Sequence, residues 1–270
     1  VAQKMMEMEP DFLDRYQRQL SLREVGMGGQ RALRAARVMV VGLGGLGCPV
    51  VQYLAAAGVG NLVLVDSDRV SLSNLQRQIL FTQTDIGRFK VEVAKEWIKR
   101  QNPQIVVEAN TEMLSAENAN ALLGLADIVV DCTDNFAARY LINDACASAN
   151  KPWVYGSIAK FEGQVAVFNA QMTAQENLGT EIHDSAQGSS DRSLNYRDVF
   201  PNPPGQGEIQ NCAEAGVLGA LAGIVGSFQA MEVLKWILGL EGQLVNQMLT
   251  YNAINQRIVK FQLGENSVRK

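Results

Sequence analysis

Arg37-Val-Met-Val-Val-Gly42-Leu-Gly44-Gly45-Leu-Gly47-Cys-Pro-Val-Val-Gln-Tyr-Leu-Ala-Ala-Ala57 is a short apolar run that enters a cluster of glycines and leaves it as a second, longer apolar run. The β-branched run of residues 37–42, bounded by glycine, predicts a buried strand. Gly45 to Ala57 predicts a helix that Gly58 and Gly60 stop. Gly42, Gly44 and Gly47 are spaced G-x-G-x-x-G, with Gly45 beside them. Between a strand and a helix, such glycines let the backbone approach a phosphate, and the helix start supplies free N–H groups. The next apolar run, Asn61 to Asp66, predicts a second strand that ends on a carboxylate placed to accept from ribose hydroxyls. The motif suits any nucleotide whose phosphates lie over that helix, not NAD alone.

Outward from this unit the alternation continues. Residues 89–100 predict a helix, 105–110 and 126–131 strands, 137–148 a helix and 152–157 a fifth strand. The fold class is therefore α/β, a Rossmann-like, doubly wound, mainly parallel sheet. Residues 163–169, 246–252 and 257–263 predict antiparallel C-terminal strands. Leu221, Ile224, Phe228, Met231 and Leu234 recur at helical spacing within a helix over 218–238. The organisation expected is a single domain over 1–270. It comprises an N-terminal helical segment (12–36), a nucleotide-binding core (37–158), a long loop (171–211) rich in Gln, Asn, Ser, Gly and Pro, and a C-terminal helix and strands (212–263).

Composition limits the partners. The 270 residues are 47% hydrophobic and 19% charged, with formal net charge −4. A mild acidic excess argues against nucleic acid, which calls for clustered Lys and Arg. The longest apolar run, about Ala215 to Gly226, is shorter than the roughly 20 residues that span a bilayer. The first ten residues carry Lys4, Glu7 and Glu9 and no apolar signal core. A cytoplasmic protein away from membranes is expected. Cys48, Cys132, Cys146 and Cys212 form no Cys-x-x-Cys, so neither a disulfide framework nor a zinc pattern is present. Cys48, Cys132 and Cys146 read as packing residues.

Polar residues collect after the predicted strands, where a doubly wound sheet binds its ligand. Asp68, Asn74, Arg77 and Gln78 follow Asp66; Lys90 opens a helix; Asp134 follows the fourth strand. Arg77 and Lys90 can bind a triphosphate and offset charge developing at phosphorus. Asp134 can hold Mg²⁺, which keeps several waters and takes one or two carboxylates. Plainer readings compete: a surface salt bridge for Arg77, a solvated helix face for Lys90, and an N-cap for Asp134. A dehydrogenase would need a proton relay, and the only histidine, His183, lies in the long loop.

Several stretches resemble the MoeB/ThiF/HesA family, bacterial relatives of ubiquitin-activating enzymes. They are Asp14-Arg-Tyr-Gln-Arg-Gln19, Val41-Gly-Leu-Gly-Gly-Leu-Gly-Cys48, Val70-Ser-Leu-Ser-Asn-Leu-Gln-Arg-Gln78, Gly87-Arg-Phe-Lys-Val-Glu92 and Asp131-Cys-Thr-Asp-Asn135. Glu162-Gly-Gln-Val165, Cys212-Ala-Glu-Ala-Gly-Val-Leu-Gly219 and Gly226-Ser-Phe-Gln-Ala-Met-Glu232 join them. The resemblance, over about residues 12–262, implies a homodimer that uses Mg-ATP to adenylate the Gly-Gly carboxylate of a small ubiquitin-like sulfur-carrier protein. A sulfur donor, a cysteine desulfurase or a rhodanese, then serves molybdopterin or thiamin-thiazole synthesis.

Carried over by motif, Asp66 resembles the ribose ligand, and Asn74, Arg77 and Lys90 the phosphate-side residues. Asp134 resembles the Mg²⁺-linked acid central to adenylation, Arg18 an arginine reaching ATP from the partner subunit, and Cys212 a thiol that some members link to the carrier. Many members hold a structural zinc in two Cys-x-x-Cys pairs. Here Asn195-Tyr-Arg-Asp198 stands at the first pair and no cysteine follows Leu263, so no zinc is expected, with Tyr196, Val199 and Phe200 packing in its place. Other readings stay open: a relative acting on a peptide antibiotic or in tRNA modification, an NAD(P)-dependent oxidoreductase, and a non-catalytic carrier-binding scaffold.

Overall fold

The structure, a computed structural model, describes residues 10–170, 193–203 and 216–264. Most of the expected 171–211 loop, His183 and Cys212 lie outside the described residues.

The sheet has the order β3-β2-β1-β4-β5-β6-β7-β8. β1 (Arg37–Val41) pairs parallel with β2 (Asn61–Val65) on one side and with β4 (Ile128–Asp131) on the other. β3 (Val106–Asn110) flanks β2, and β5 (Trp153–Ala159) flanks β4, both in parallel. The strands that follow, β6 (Glu162–Phe168), β7 (Gln247–Asn252) and β8 (Arg257–Gln262), extend the sheet in antiparallel register. The sequence reading of a mainly parallel sheet with antiparallel C-terminal strands holds.

Alternation along each strand builds a core on either face. Val38, Val40, Leu62 and Leu64 are buried with one set of helices: α2 (Gly26–Ala35), α3 (Gly47–Ala57), α4 (Lys90–Gln101) and α8 (Gly219–Leu238). Met39, Val41, Val63 and Val65 are buried on the other face with α5 (Ala116–Leu123), α6 (Phe136–Ser148) and α7 (Tyr196–Val199). Burying one such side chain contributes about 1.5–3 kcal/mol. Helix α8 is long and apolar enough to cross a membrane by composition, which revises the shorter run read from sequence. It packs instead against α3, β5 and β6. Its buried Gln229 and Glu232 bond to the backbone of Asp131 and Leu244.

The N-terminal segment differs from the continuous helical stretch expected. It forms α1 (Pro10–Leu20) and α2, separated by residues 21–25. Gly26 has φ +49°, outside the right-handed helical well, so one helix cannot run through it. Phe12 and Tyr16 anchor α1, and Tyr16 Oη accepts from Asn102 Nδ2 at 2.8 Å. Gln19 and Gln30 both donate to the Ala57 carbonyl. These bonds seat α1 at the N-terminal edge of the parallel strands, because α3 and α4 both end there.

Helix α5 was not anticipated. It is only eight residues long, and the start signal is a capping box in which Ser115 N–H donates to Asn118 Oδ1 at 2.8 Å. Helix α7 lies within the stretch read as loop, and Tyr196 and Val199 are buried as expected from their apolar character.

Candidate active site

The strand order reverses between β1 and β4, so the loops after these strands part and leave a crevice at their C-terminal ends. The glycine loop forms one wall. Gly42 has φ +90°, and a Cβ there would sit 2.7 Å from the Cys132 carbonyl oxygen; one on Gly47 would sit 2.1 Å from the Gly42 carbonyl oxygen. The loop after β1 is thus folded tightly on itself and against the turn after β4; at the start of α3, Cys48 and Val50 N–H donate to the Gly44 and Leu46 carbonyls and Pro49 has no N–H.

Asp66 braces the loop from β2. It accepts from Leu43 N–H at 2.5 Å and Asp68 N–H at 2.8 Å. Burial pushes its pKa up, opposed by the Lys90 ammonium and by these two N–H groups. Lys90 is buried, with Nζ 2.8 Å from Asp68 Oδ2. This corrects the solvated-face alternative: the first turn of α4 tucks the ammonium under the crevice, where the exposed Asp68 pairs with it.

The segment 70–78 forms the far wall. Asn74 uses its carboxamide oxygen to accept from Ser71 N–H at 3.2 Å, closing a capping box and leaving its NH2 group for a ligand. Arg77 donates to the Ser73 carbonyl at 3.1 Å rather than to a surface acid, and its side chain lies against Gly45. Gln78 is buried beside Gly44, and its Oε1 has no hydrogen-bond partner.

Asp134 follows β4. The cap of α6 is Asn135, whose Oδ1 accepts from Ala138 N–H at 2.8 Å. The N-cap reading of Asp134 is therefore wrong by one residue. Its carboxylate is exposed and makes no hydrogen bond or ion pair within the described residues. Its neighbour Thr133 abuts Gly42, so Asp134 stands at the crevice mouth.

The structure thus brings together Gly42, Gly44, Gly45, Gly47, Asp66, Asp68, Asn74, Arg77, Gln78, Lys90 and Asp134. Arg18 is not among them. It is exposed on α1, at the opposite edge of the sheet. Cys48, Cys132 and Cys146 are buried, and burial pushes the Cys48 and Cys146 thiols up to about 12, which makes them inert packing residues.

Sequence reasoning missed a buried ion pair under the site. Arg139 Nε donates to Asp131 Oδ2 at 3.2 Å, with both side chains almost wholly inside. Burial raises the Asp131 pKa, and the Arg139 guanidinium and Thr133 oppose the shift. An acid at a strand end and an arginine eight residues on, inside an otherwise apolar helix face, was the available signal.

Cations, amide donors and an uncommitted carboxylate around a glycine loop define a nucleotide-binding α/β enzyme suited to chemistry at phosphorus. The ThiF family pattern matches residues 16–269. The chain is 44% identical to the sulfur carrier protein adenylyltransferase of Thermus thermophilus, over 97% of this chain and 91% of that protein. It is 43% identical to a probable adenylyltransferase/sulfurtransferase, MoeZ, of Mycobacterium tuberculosis, over 89% of this chain and 57% of that one. It is 44% identical to the adenylyltransferase and sulfurtransferase MOCS3 of Culex quinquefasciatus, over 88% and 50%. The chain thus spans about half the length of those two-activity relatives. Among solved structures, PaaA superposes with a TM-score of 0.74 over 95% of this chain and 75% of its own, at 22% identity. E. coli MccB with ATP gives 0.67 over 88% and 66%, also at 22% identity; both are likenesses of fold. The chain belongs to the ThiF family and is an ATP-dependent adenylyltransferase.

Proposed function

We propose that the chain adenylates the C-terminal Gly-Gly carboxylate of a small ubiquitin-like sulfur-carrier protein. The observation that carries this reading is the pairing of buried Lys90 and partly buried Arg77 with an uncommitted Asp134 across one crevice. The name of the relative matched over nearly its full length, a sulfur carrier protein adenylyltransferase, supports the carrier as substrate.

The glycine loop and the start of α3 receive the phosphates, and Asp66 accepts from the ribose. A carboxylate oxygen of the carrier attacks the α-phosphorus; that O–P bond forms, the bond from the α-phosphorus to the α–β bridging oxygen breaks, and the bridging oxygen leaves with pyrophosphate. A carboxylate is already a nucleophile, so no base is needed. Asn74, Arg77 and Lys90 offset the repulsion between two anions. Asp134 fits a magnesium ion, since its oxygens are exposed and unshared and such an ion needs only one or two carboxylates. When bound, that ion neutralises phosphate charge.

The acyl-adenylate is then open to sulfur from a cysteine desulfurase or rhodanese, in molybdopterin or thiamin-thiazole formation, with Cys212 as the thiol for a later covalent step. No structural zinc takes part, and the protein works in the cytoplasm. The direct test is carrier-dependent ATP–pyrophosphate exchange, run beside an NADH fluorescence titration. Exchange that appears only with a Gly-Gly carrier supports the reading. NADH binding without exchange sinks it.

Arg18 acts from a second copy of the chain. Its distance from the site of its own chain motivates this, and the exposed Tyr53 and Ile79, with Ile224 and Phe228, line an apolar groove suited to a homodimer. Mixing an Arg18→Ala protomer with an Asp134→Ala protomer restores one intact site per mixed dimer, so exchange should return to about one half of wild type per dimer. Verified mixed dimers without recovery would remove Arg18 from the site.

A further inference from the structure

We propose that Arg139 is the positioning residue that aims Asp134, and that it links the turn bearing Asp134 to helix α7. The inference rests on the adenylation reading and adds a residue that no motif assigned to the reaction. The turn Asp131–Asp134 is clamped from three directions. Thr133 N–H and Oγ1 donate to Asp131 Oδ1 at 2.9 and 2.6 Å. Gln229 Nε2, from α8, donates to the Asp131 carbonyl oxygen at 2.7 Å. Arg139 spans the turn, with Nε on Asp131 Oδ2 at 3.2 Å and Nη2 3.5 Å from the Thr133 carbonyl oxygen.

The guanidinium is held in turn. Its carbon lies 4.8 Å from the centre of the Tyr155 ring and 5.4 Å from that of Phe136. The Tyr155 ring on which it lies packs in turn against that of Tyr196, with centres 5.6 Å apart. Tyr196 belongs to α7, which is fastened to α6: Tyr196 N–H donates to Asn143 Oδ1 at 2.7 Å, and Arg197 makes a two-pronged contact with Asp144 at 2.6 and 2.7 Å. A continuous set of contacts therefore runs from α7 through Arg139 to the residue before Asp134. Asp134 makes no bond of its own among the described residues, so its direction depends on that turn.

A planar fork can reach Asp131 and Thr133 together while it lies on the Tyr155 ring; an ammonium cannot. Arg139→Lys keeps the charge beside Asp131 and loses the geometry. The expected result is a folded protein whose kcat in carrier-dependent exchange falls about ten- to a hundredfold, because a displaced group costs that much. The Kd for the ATP analogue AMPCPP, by calorimetry without carrier, should stay within about twofold. Thr133→Val should lower kcat in the same direction, and Arg139→Lys with Thr133→Val should cost less than the product of the single effects. A folded Arg139→Lys protein with wild-type kcat overturns the proposal, as does one whose loss in kcat is matched by weaker AMPCPP binding. If Arg139→Lys does not fold, unchanged kcat in Thr133→Val overturns it equally. Absence of exchange by the wild-type protein with every Gly-Gly carrier instead overturns the adenylation reading, and this inference with it.

Discussion

Asp134→Asn should leave the protein folded and lower carrier-dependent ATP–pyrophosphate exchange by at least about a hundredfold, the scale of one lost electrostatic contact at a reacting phosphate. The fold should survive because Asp134 supports nothing else. Asn135 caps α6, and the exposed Asp134 carboxylate has no partner among the described residues. Asparagine preserves size and polarity and removes the charge, so the change isolates electrostatics from packing. The melting temperature should match wild type while exchange is lost. Wild-type exchange from the Asn variant would take Asp134 out of the mechanism and leave Lys90 and Arg77 to act alone.

Gly47→Ala should have the largest structural effect of any substitution in the glycine cluster of residues 42–47. A Cβ at Gly47 would lie 2.1 Å from the Gly42 carbonyl oxygen and 3.0 Å from its carbonyl carbon. Both are backbone atoms of the same loop, so no side-chain rotation relieves the clash and the loop must open. A stability loss of about 1–3 kcal/mol or more is expected from such overpacking. That corresponds to a melting temperature lower by roughly 2–4 °C per kcal/mol for a domain approaching this size. AMPCPP binding should vanish with the loop geometry. Gly44→Ala is the control. Its Cβ would meet only Gln78 Nε2, at 3.8 Å, an ordinary contact. Gly44→Ala should therefore keep wild-type stability and weaken only the nucleotide, because the added methyl faces the ligand side. Equal stability losses at the two glycines would show that the loop is not built around the Gly42–Gly47 approach. The two variants are compared by thermal melting and by calorimetry with AMPCPP.

The strand, glycine loop, helix and following acid were readable because they are local. Each signal lies within about one helical turn or one strand of the next, and hydrophobic period 2 or 3.6 reports burial directly. Asp66 and the glycines therefore stood where the pattern put them. The chain by itself determined the parallel sheet, the antiparallel extension and the gathering of polar residues at the strand ends. Tertiary structure decided what those residues are free to do. By sequence Lys90 was equally compatible with a solvent-facing position; the packing of α4 against Asp68, twenty-two residues earlier, buries it. Asp134 and Asn135 are adjacent candidates for one cap, and the entry angle of α6 chose the second and released the first. The Asp131–Arg139 pair joins a strand end to a helix, and the Tyr155 ring beneath Arg139 packs on Tyr196, fifty-seven positions beyond Arg139. No periodicity encodes such a contact, because its energy depends on excluding water from a charge pair, and that exclusion exists only once both faces of the sheet are covered.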